Sequence, residues 1–575
     1  MHCKLICIHL TKRLKLKKND TIEFEERADF LENDKLVELT VTNDYFKSVQ
    51  SKIIERGAKL IVGPRGTGKT HQFRFAYSQC IEDKNKPLAI YVNFGKYYNL
   101  EPLLFNSSNA IQIFHSWVLA KIVHSTYSLL SDLNKSEILL TEEGIFEKQN
   151  LEKFIQQAER FTAIPNDDEL ILNIGIKKII DILENLALKL KRKRIILLLD
   201  DAALTLTPDY MVEFFDIFRS LKTFKISPKA SVYPGTTEYG PRFHLGQDAE
   251  EVKMWLDVED DNFSHFMDEF LSTRLNLKSQ IDPDIIEIFK FASFGIPRAF
   301  MTLLRSYLNQ KSERSQVKFN NVLDSHSDLI KQEYLSLKIK LPQYKSIIET
   351  GLVLFDKIID ELTKANKKES NTKEILFGIE KEKDTFKYKR MIKLLIEAGL
   401  LYDKGSSSEG SLSYNRYSPH YLFLIKNRAF SQTRGFSAKD IHRVLKLKAN
   451  KRPLRRKFST LLDTEQLNSI KLDLPACLNC GTARLTEEQK FCHNCGRPLV
   501  GKSSFDYFIT ISIDQLPLTE WQKQKILNET EFKTVGDVLQ SQNPAADLRK
   551  AKGIGQVKSS NIYNMIQGLI DELLG

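Results

Sequence analysis

The chain has 575 residues, 42% of them hydrophobic, enough for three or four domains with cores of their own. Its 85 basic and 74 acidic residues leave a formal charge of +11, which favours an anionic partner without deciding which one. No apolar run is long enough to span a membrane, and the patch Leu5–Leu10 in the basic start is too short for a signal-peptide core, so the expectation is a cytoplasmic protein with no membrane partner.

Residues 1–44 read as an irregular N-terminal extension, and Tyr45 to Arg56 as a helix packed under the domain that follows. The apolar run Leu60-Ile61-Val62 then leads into Gly63-Pro64-Arg65-Gly66-Thr67-Gly68-Lys69-Thr70. This is the spacing of a phosphate-binding loop. Gly63, Gly66 and Gly68 let the backbone curl so that successive N–H groups face the phosphates; Lys69 reaches the β and γ phosphates, and the Thr70 hydroxyl holds Mg²⁺. The helix expected from Lys69 to Cys80 turns the positive end of its dipole to the same anion. ATP and Mg²⁺ are therefore the expected ligands.

Leu88 to Phe94 reads as the next strand, followed by a mostly helical insertion over 102–190. Basic residues 191–194 close that insertion, and the aliphatic run Ile195 to Leu199 ends in Asp200-Asp201. An unbroken apolar run ending in acid suits a buried parallel strand whose carboxyl end lies beside the loop. There Asp200 binds Mg²⁺ through water, and Asp201 orients or deprotonates the attacking water. Met211 to Leu221 is expected to be helical, Lys229 to Pro234 a fourth strand, and Val252 to Leu256 a fifth. Strands alternating with helices predict a parallel sheet covered on both faces.

Helices over Phe263–Leu275 and Pro283–Leu308 contain Phe294-Gly295-Ile296-Pro297-Arg298. The phosphate loop, the strand ending in two acids and this Gly-Ile-Pro-Arg turn together resemble the AAA+ ATPases, nearest to the origin-recognition-complex type and its bacterial relatives, over roughly residues 45–310. The resemblance implies an ATPase that forms a homo-oligomer when ATP-bound. It makes Arg298 the second sensor, touching the γ phosphate from a helical lid. Thr236 falls where the first sensor lies, in competition with Ser231 and Thr237, and Arg242 falls where a finger to a neighbouring subunit's nucleotide would be. The second acid, Asp201, departs from the family's commoner Glu and implies slow hydrolysis.

Beyond the lid, Tyr388 to Tyr402 reads as an amphipathic helix turning at Gly399 into a strand. A polar loop over 405–413 and a return strand from Tyr414 to Ser418 complete a unit similar to a winged helix, able to grip DNA or hold a protein partner. The Lys- and Arg-rich stretch 439–457 is either a phosphate-contacting arm or a solvated linker. Of seven cysteines, Cys477, Cys480, Cys492 and Cys495 form two C-x-x-C knuckles eleven residues apart, each followed by glycine. Four thiolates at that spacing predict a closed, structural Zn²⁺ site. At the end of the chain, Leu548 to Ile562 resembles a helix-hairpin-helix, in which Gly553-Ile554-Gly555 turns its N–H groups to a DNA phosphate between Lys552 and Lys558. Ser559 stands where that family prefers Ala. The segment before it resembles the paired hairpins at the C-terminus of the RNA polymerase α subunit.

The expected architecture is thus multidomain: an α/β P-loop AAA+ core over 45–260, a helical lid over 261–345, a winged-helix-like domain over 346–435, a basic linker over 436–474, a four-cysteine zinc ribbon over 475–500 and an all-α helix-hairpin-helix end over 505–575. The expected function is an ATPase that couples nucleotide state to binding DNA or a DNA-bound complex. The alternative is a nucleotide-switched signalling or anti-phage defence ATPase that recognises a protein or foreign nucleic acid, with the helical insertion or the C-terminal modules as the partner surface.

Overall fold

The computed structural model describes Ala28 and residues 31–573 except 96–99, 102, 108, 160–163, 166, 202–207, 236, 238, 275–280, 313, 369–371, 382–385, 410–411, 432–436, 471–473, 475, 478, 486–488, 490, 498, 500–510, 517 and 542. Five strands, β1 (Lys59–Val62), β2 (Leu88–Asn93), β3 (Ile195–Asp200), β4 (Ile226–Val232) and β5 (Glu250–Lys253), form one sheet in the order β2-β3-β4-β1-β5. Every neighbouring pair is parallel, with Asn93 beside Asp200 and Ile61 beside Ser231. Parallel strands joined by crossovers are covered on both faces, which favours apolar residues at successive positions. The side chains divide by parity: Leu60, Ile90, Leu197 and Leu199 enter one core, while Ile61, Ala89, Ile196 and Leu198 enter the other. The carboxyl ends on either side of β1 form the switch point of strand order where open α/β sheets take their ligands.

The stretch between β2 and β3 is a crossover built into the core. Its longest helix, Ala110–Asp132, packs on β2, and Trp117 meets Phe94 at 5.5 Å while Phe114 stacks on Tyr210 at 4.3 Å. Helices Lys148–Glu159 and Ile176–Lys189 bury their apolar stripes in the same cluster. Residues 31–44, the described end of the expected irregular extension, include a helix. Helix Asn33–Glu38 packs against helix Lys69–Glu82, with Leu31 and Leu36 buried beside Phe75. Helix Asp44–Ile54 follows, its first turn capped by the Asn43 side chain.

Past β5 the chain forms helices Phe263–Arg274, Pro283–Ala292, Pro297–Leu308 and Ser315–Lys340. The helical stretch from Pro283 is interrupted over residues 293–296, at the Gly-Ile-Pro-Arg turn. Phe294 and Gly295 take positive φ angles of 56° and 74° there, and a Cβ on Gly295 would sit 2.0 Å from the Leu256 carbonyl oxygen. Only glycine allows that approach.

A second sheet holds β6 (Phe377–Glu380), β7 (Leu401–Glu409), β8 (Leu412–Pro419) and β9 (Leu454–Arg456) in the order β7-β8-β6-β9. The polar loop expected over 405–413 is mostly strand: Ser406 pairs with Asn415 and Ser408 with Ser413, so the serines lengthen the hairpin. Helix Phe386–Glu397 precedes it. The expected basic linker is folded as well. Helix Ala438–Leu445 buries Ile441, Val444 and Leu445 against helix Pro283–Ala292, β9 pairs in parallel with β6, and Arg456 binds the Glu361 carboxylate at 2.6 and 2.9 Å. Its apolar residues lie between the basic ones at helix and strand spacing, which composition alone conceals. The C-terminal part is helical, with helices Glu520–Glu529, Val535–Gln540, Pro544–Leu548 and Gln556–Leu573. No helix among the described residues is long and apolar enough to cross a membrane.

Candidate nucleotide site and metal centre

The phosphate loop connects β1 to helix Lys69–Glu82 at the switch point. Gly66 and Gly68 have φ angles of 85° and 93°, and a Cβ on Gly63 would meet Thr67 Oγ1 at 2.7 Å and the Met254 carbonyl at 2.8 Å. Glycine is needed at Gly66 and Gly68 for the backbone conformation of the loop and at Gly63 for the close approach of Thr67 and Met254. Thr67 Oγ1 donates to the Pro64 carbonyl at 3.0 Å and closes the loop on itself. Lys69 is buried; its ammonium donates to the Gly63 and Pro64 carbonyls and lies 4.1 Å from the centre of the Tyr233 ring. Burial lowers its pKa to about 7, against the opposing pull of Asp201 and Asp200 and with further lowering by Arg65 and Arg298. Thr70 is half-buried in the first turn of the helix, and Arg65 is exposed at the loop's tip, 5.8 Å from the Tyr233 ring.

The two acids stand at the carboxyl end of β3. Asp200 is fully buried and accepts the Tyr91 hydroxyl at 3.0 Å. Asp201 turns out of the strand with φ 52°, a left-handed conformation that Asp tolerates better than most residues, and its N–H donates to Ser231 Oγ at 2.8 Å. Ser231, buried on β4, is therefore the described hydroxyl joined to the Asp201 backbone. Thr237 Oγ1 donates to the Tyr233 carbonyl instead, and Thr236 lies outside the described residues. Of the candidates for the first-sensor position it is thus Ser231 that meets the second acid, while two further participants, Tyr91 and Tyr233, have no motif to mark them. Their one signal is position at the carboxyl ends of β2 and β4, visible only when the strand order is known.

The lid reaches the loop through its broken helix. The Arg298 N–H donates to the Gly66 carbonyl at 3.3 Å, and a Cβ on Gly66 would meet Arg298 Cβ at 2.9 Å and Ile296 Cγ2 at 3.0 Å. Trp255, next to the Met254 that touches the loop, donates its indole N–H to the Phe294 carbonyl at 2.8 Å. Arg242 does not join this cluster. It is largely exposed and lies against helix Pro208–Ser220, 3.7 Å from the Asp216 carboxylate, with Arg219 donating to its carbonyl.

Residues 24–221, from the N-terminal segment through the helix after β3, match the ORC-CDC6-like family model. That match lies on the nucleotide core and spans less than half of the chain. Among solved structures, the Walker-type ATPase PABY2304 of Pyrococcus abyssi is 14% identical with a TM-score of 0.37, over 71% of this chain and 99% of its own. The Aeropyrum pernix ORC1 protein in complex with DNA is 13% identical with a TM-score of 0.29, over 67% of this chain and 91% of its own. The A. pernix ORC2 protein in ADPNP–ADP complexes is 12% identical with a TM-score of 0.30, over 74% and 96%. No curated protein sequence matches the chain.

Outside the matched segment, the four cysteines come together. Cys477, Cys480, Cys492 and Cys495 place their sulfurs within 4.8 Å of one another, with Cys477 to Cys495 and Cys480 to Cys492 both at 3.5 Å. A tetrahedral zinc with bonds of about 2.3 Å sets its sulfurs about 3.8 Å apart, so the set fits Zn²⁺. The two knuckles repeat one design: the Gly481 N–H donates to the Cys477 carbonyl and the Gly496 N–H to the Cys492 carbonyl, each glycine at positive φ. This donor set leaves no open position on the metal, so it suits a structural ion.

At the C-terminal turn, Gly553 has φ 94° and packs on Trp521, and Gly555 begins the approach to helix Gln556–Leu573. Lys558 lies 4.8 Å from the Trp521 ring centre and donates to the Gly553 carbonyl. The Lys552 N–H donates to the Glu529 carboxylate at 2.7 Å. That amide is thus already held by an acid of the protein itself.

Proposed function

We propose that the protein binds ATP with Mg²⁺ at this site, hydrolyses it slowly, and couples its nucleotide state to attachment to DNA or to a DNA-bound complex. The observation that carries the reading is the convergence of Lys69, Asp200, Asp201 and the Arg298 turn on one glycine-rich loop at the switch point of the sheet. Backbone N–H groups of residues 63–70 would cradle the phosphates. Thr70 and Asp200 would hold Mg²⁺, which supplies charge neutralisation along the phosphate chain. Lys69 would exchange its loop carbonyls for phosphate oxygens, Asp201 would orient the attacking water, and Ser231 would fix the Asp201 backbone. Arg298, seated on Gly66, would make the lid angle follow the γ phosphate. The exposure of Arg242 suits a side chain offered to a neighbouring subunit's site on oligomerisation.

Contacts to DNA would come from the winged-helix-like unit around β7 and β8, the zinc knuckles and the Gly553–Gly555 turn. A second reading, a signalling or defence ATPase that recognises a protein, draws on two observations: the serine-rich β7–β8 hairpin and the Glu529 carboxylate on the Lys552 amide. The deciding experiment measures ATP hydrolysis by the full chain with and without double-stranded DNA, alongside Lys69→Ala and Asp201→Asn. Stimulation by DNA that both substitutions abolish is the expected result. ATP binding with no DNA effect would transfer support to the second reading.

A further inference from the structure

We infer that Trp521 is a stacking platform for an unpaired base, so that the C-terminal turn takes single-stranded rather than duplex DNA. The inference rests on the DNA reading above and adds to it the form of DNA that this end of the chain holds. Its first support is exposure. The chain has three tryptophans. Trp117 and Trp255 are buried, at 0% and 7% exposed, whereas Trp521, in the first turn of helix Glu520–Glu529, leaves 45% of its surface in solvent. An indole so exposed keeps apolar surface for a flat ligand, and every base has a flat face.

The ring is held beside the turn before any ligand arrives. A Cβ on Gly553 would meet Trp521 Cζ2 at 3.2 Å and Cη2 at 3.4 Å, so the main chain of the turn lies directly against the indole. The Lys552 N–H on the Glu529 carboxylate ties the same turn to the far end of the helix that carries Trp521. Ile526 of that helix and Ile554 of the turn are buried in one apolar cluster. Ring and turn are therefore joined as one unit, and little freedom is lost when a ligand settles on them.

Charge beside the ring suits the backbone of the same strand. From Arg549 to Lys558 the chain has four basic residues and no acidic one, and all four are exposed. Among the described residues no carboxylate pairs with Lys558, whose ammonium lies 4.8 Å from the centre of the indole and donates to the Gly553 carbonyl. A phosphate can take that ammonium from the carbonyl, so that one strand meets the lysine with its backbone and the ring with its base. In a duplex both faces of each base are covered by its neighbours, and a protein ring reaches a base face only where the strand is unpaired. The other way to grip DNA here, main-chain N–H groups on a duplex backbone, has one donor fewer because Glu529 already holds the Lys552 amide.

The test titrates the full chain with a mixed-sequence DNA strand, the duplex that strand forms with its complement, and the RNA strand of the same sequence. Tryptophan fluorescence reads the native chain, and the anisotropy of labelled nucleic acid gives the affinities of the native chain, Trp521→Ala, Trp521→Phe and Trp521→Leu. The DNA strand is expected to quench the exposed Trp521 while the buried Trp117 and Trp255 are spared. Trp521→Ala should weaken binding of the DNA strand by about fivefold or more and leave the duplex unchanged. Trp521→Phe, which keeps a ring, should recover part of that loss, and Trp521→Leu, which keeps only apolar bulk, should not. A strand affinity unchanged in Trp521→Ala overturns the inference, as does an equal loss for strand and duplex, full recovery by leucine, or tighter binding of the RNA strand. A native chain that binds DNA in neither form overturns the DNA reading itself.

Discussion

Lys69 shows how far one residue's behaviour departs from its type. Its ammonium is buried on a tyrosine ring, and its pKa is about 7 where an ordinary lysine has 10.5. The free protein therefore holds this group largely neutral above pH 7, whereas polyphosphate favours the charged form. Nucleotide binding should take up a proton between about pH 7 and 10, and affinity should fall as pH rises through that window. Calorimetry at pH 8 in two buffers of different ionisation enthalpy reads the uptake directly; a value of zero would sink this account. Gly295 gives a second prediction. Its φ of 74° and the 2.0 Å approach to the Leu256 carbonyl should make Gly295→Ala cost on the order of 3 kcal/mol, read by urea unfolding. The glycines and acids of the site were legible because their chemistry demands fixed spacing within one segment. Tyr91 and Tyr233 were not, and the choice of Ser231 over Thr236 and Thr237 stayed open, because each acts across a strand pairing that spacing within a segment does not encode.

The separate elements divide in the same way. The cysteine knuckles carry their geometry locally, each in a turn closed by a glycine at positive φ, so sequence spacing was sufficient. Chelation, or Cys477→Ser, should release one equivalent of zinc and expose residues 476–499 to proteolysis while the fragment holding the nucleotide core survives, since the metal supplies the folding energy of so small a unit. Loss of the core fragment together with the ribbon would refute that independence. At the C-terminal turn, Lys552→Ala and Lys558→Ala should each reduce the slope of log affinity for DNA against log salt by about 0.9 if those side chains meet phosphates. An unchanged slope would assign the turn to protein contacts, in line with Glu529 already holding the Lys552 amide. The basic stretch 439–457 read as linker because charge dominated its composition. Its three buried apolar residues in helix Ala438–Leu445 and the β9 pairing with β6 decided otherwise.

Across the whole molecule, the nucleotide loop is joined to the second sheet by a short chain of contacts. Met254 touches Gly63, Trp255 bonds to Phe294 in the lid, and Tyr402 on β7 meets Trp255 at 4.6 Å between ring centres. Lys404 pairs with Asp257, Tyr421 donates to Glu259 at 2.7 Å, and a Cβ on Gly235, just past β4, would meet the Lys393 carbonyl of helix Phe386–Glu397 at 2.4 Å. Hydrogen exchange should therefore show ATP protecting both residues 63–70 and the β7–β8 hairpin. In Trp255→Ala, which should also cost about 3 to 5 kcal/mol, protection should stay confined to the loop; spread undiminished in that variant would exclude this route. Taken alone, the amino-acid order determined the phosphate loop, the acidic strand, the cysteine set and the parallel α/β core, because each depends on neighbours within one segment or on burial of both faces of a strand. The tertiary structure alone decided which hydroxyl meets Asp201, that Arg242 stands apart from the loop, that the insertion and the basic stretch are core, and that Trp521 lies against the Gly553 turn. Those outcomes depend on contacts between residues far apart in the chain, and the close packing that selects among them exists only once the chain is folded.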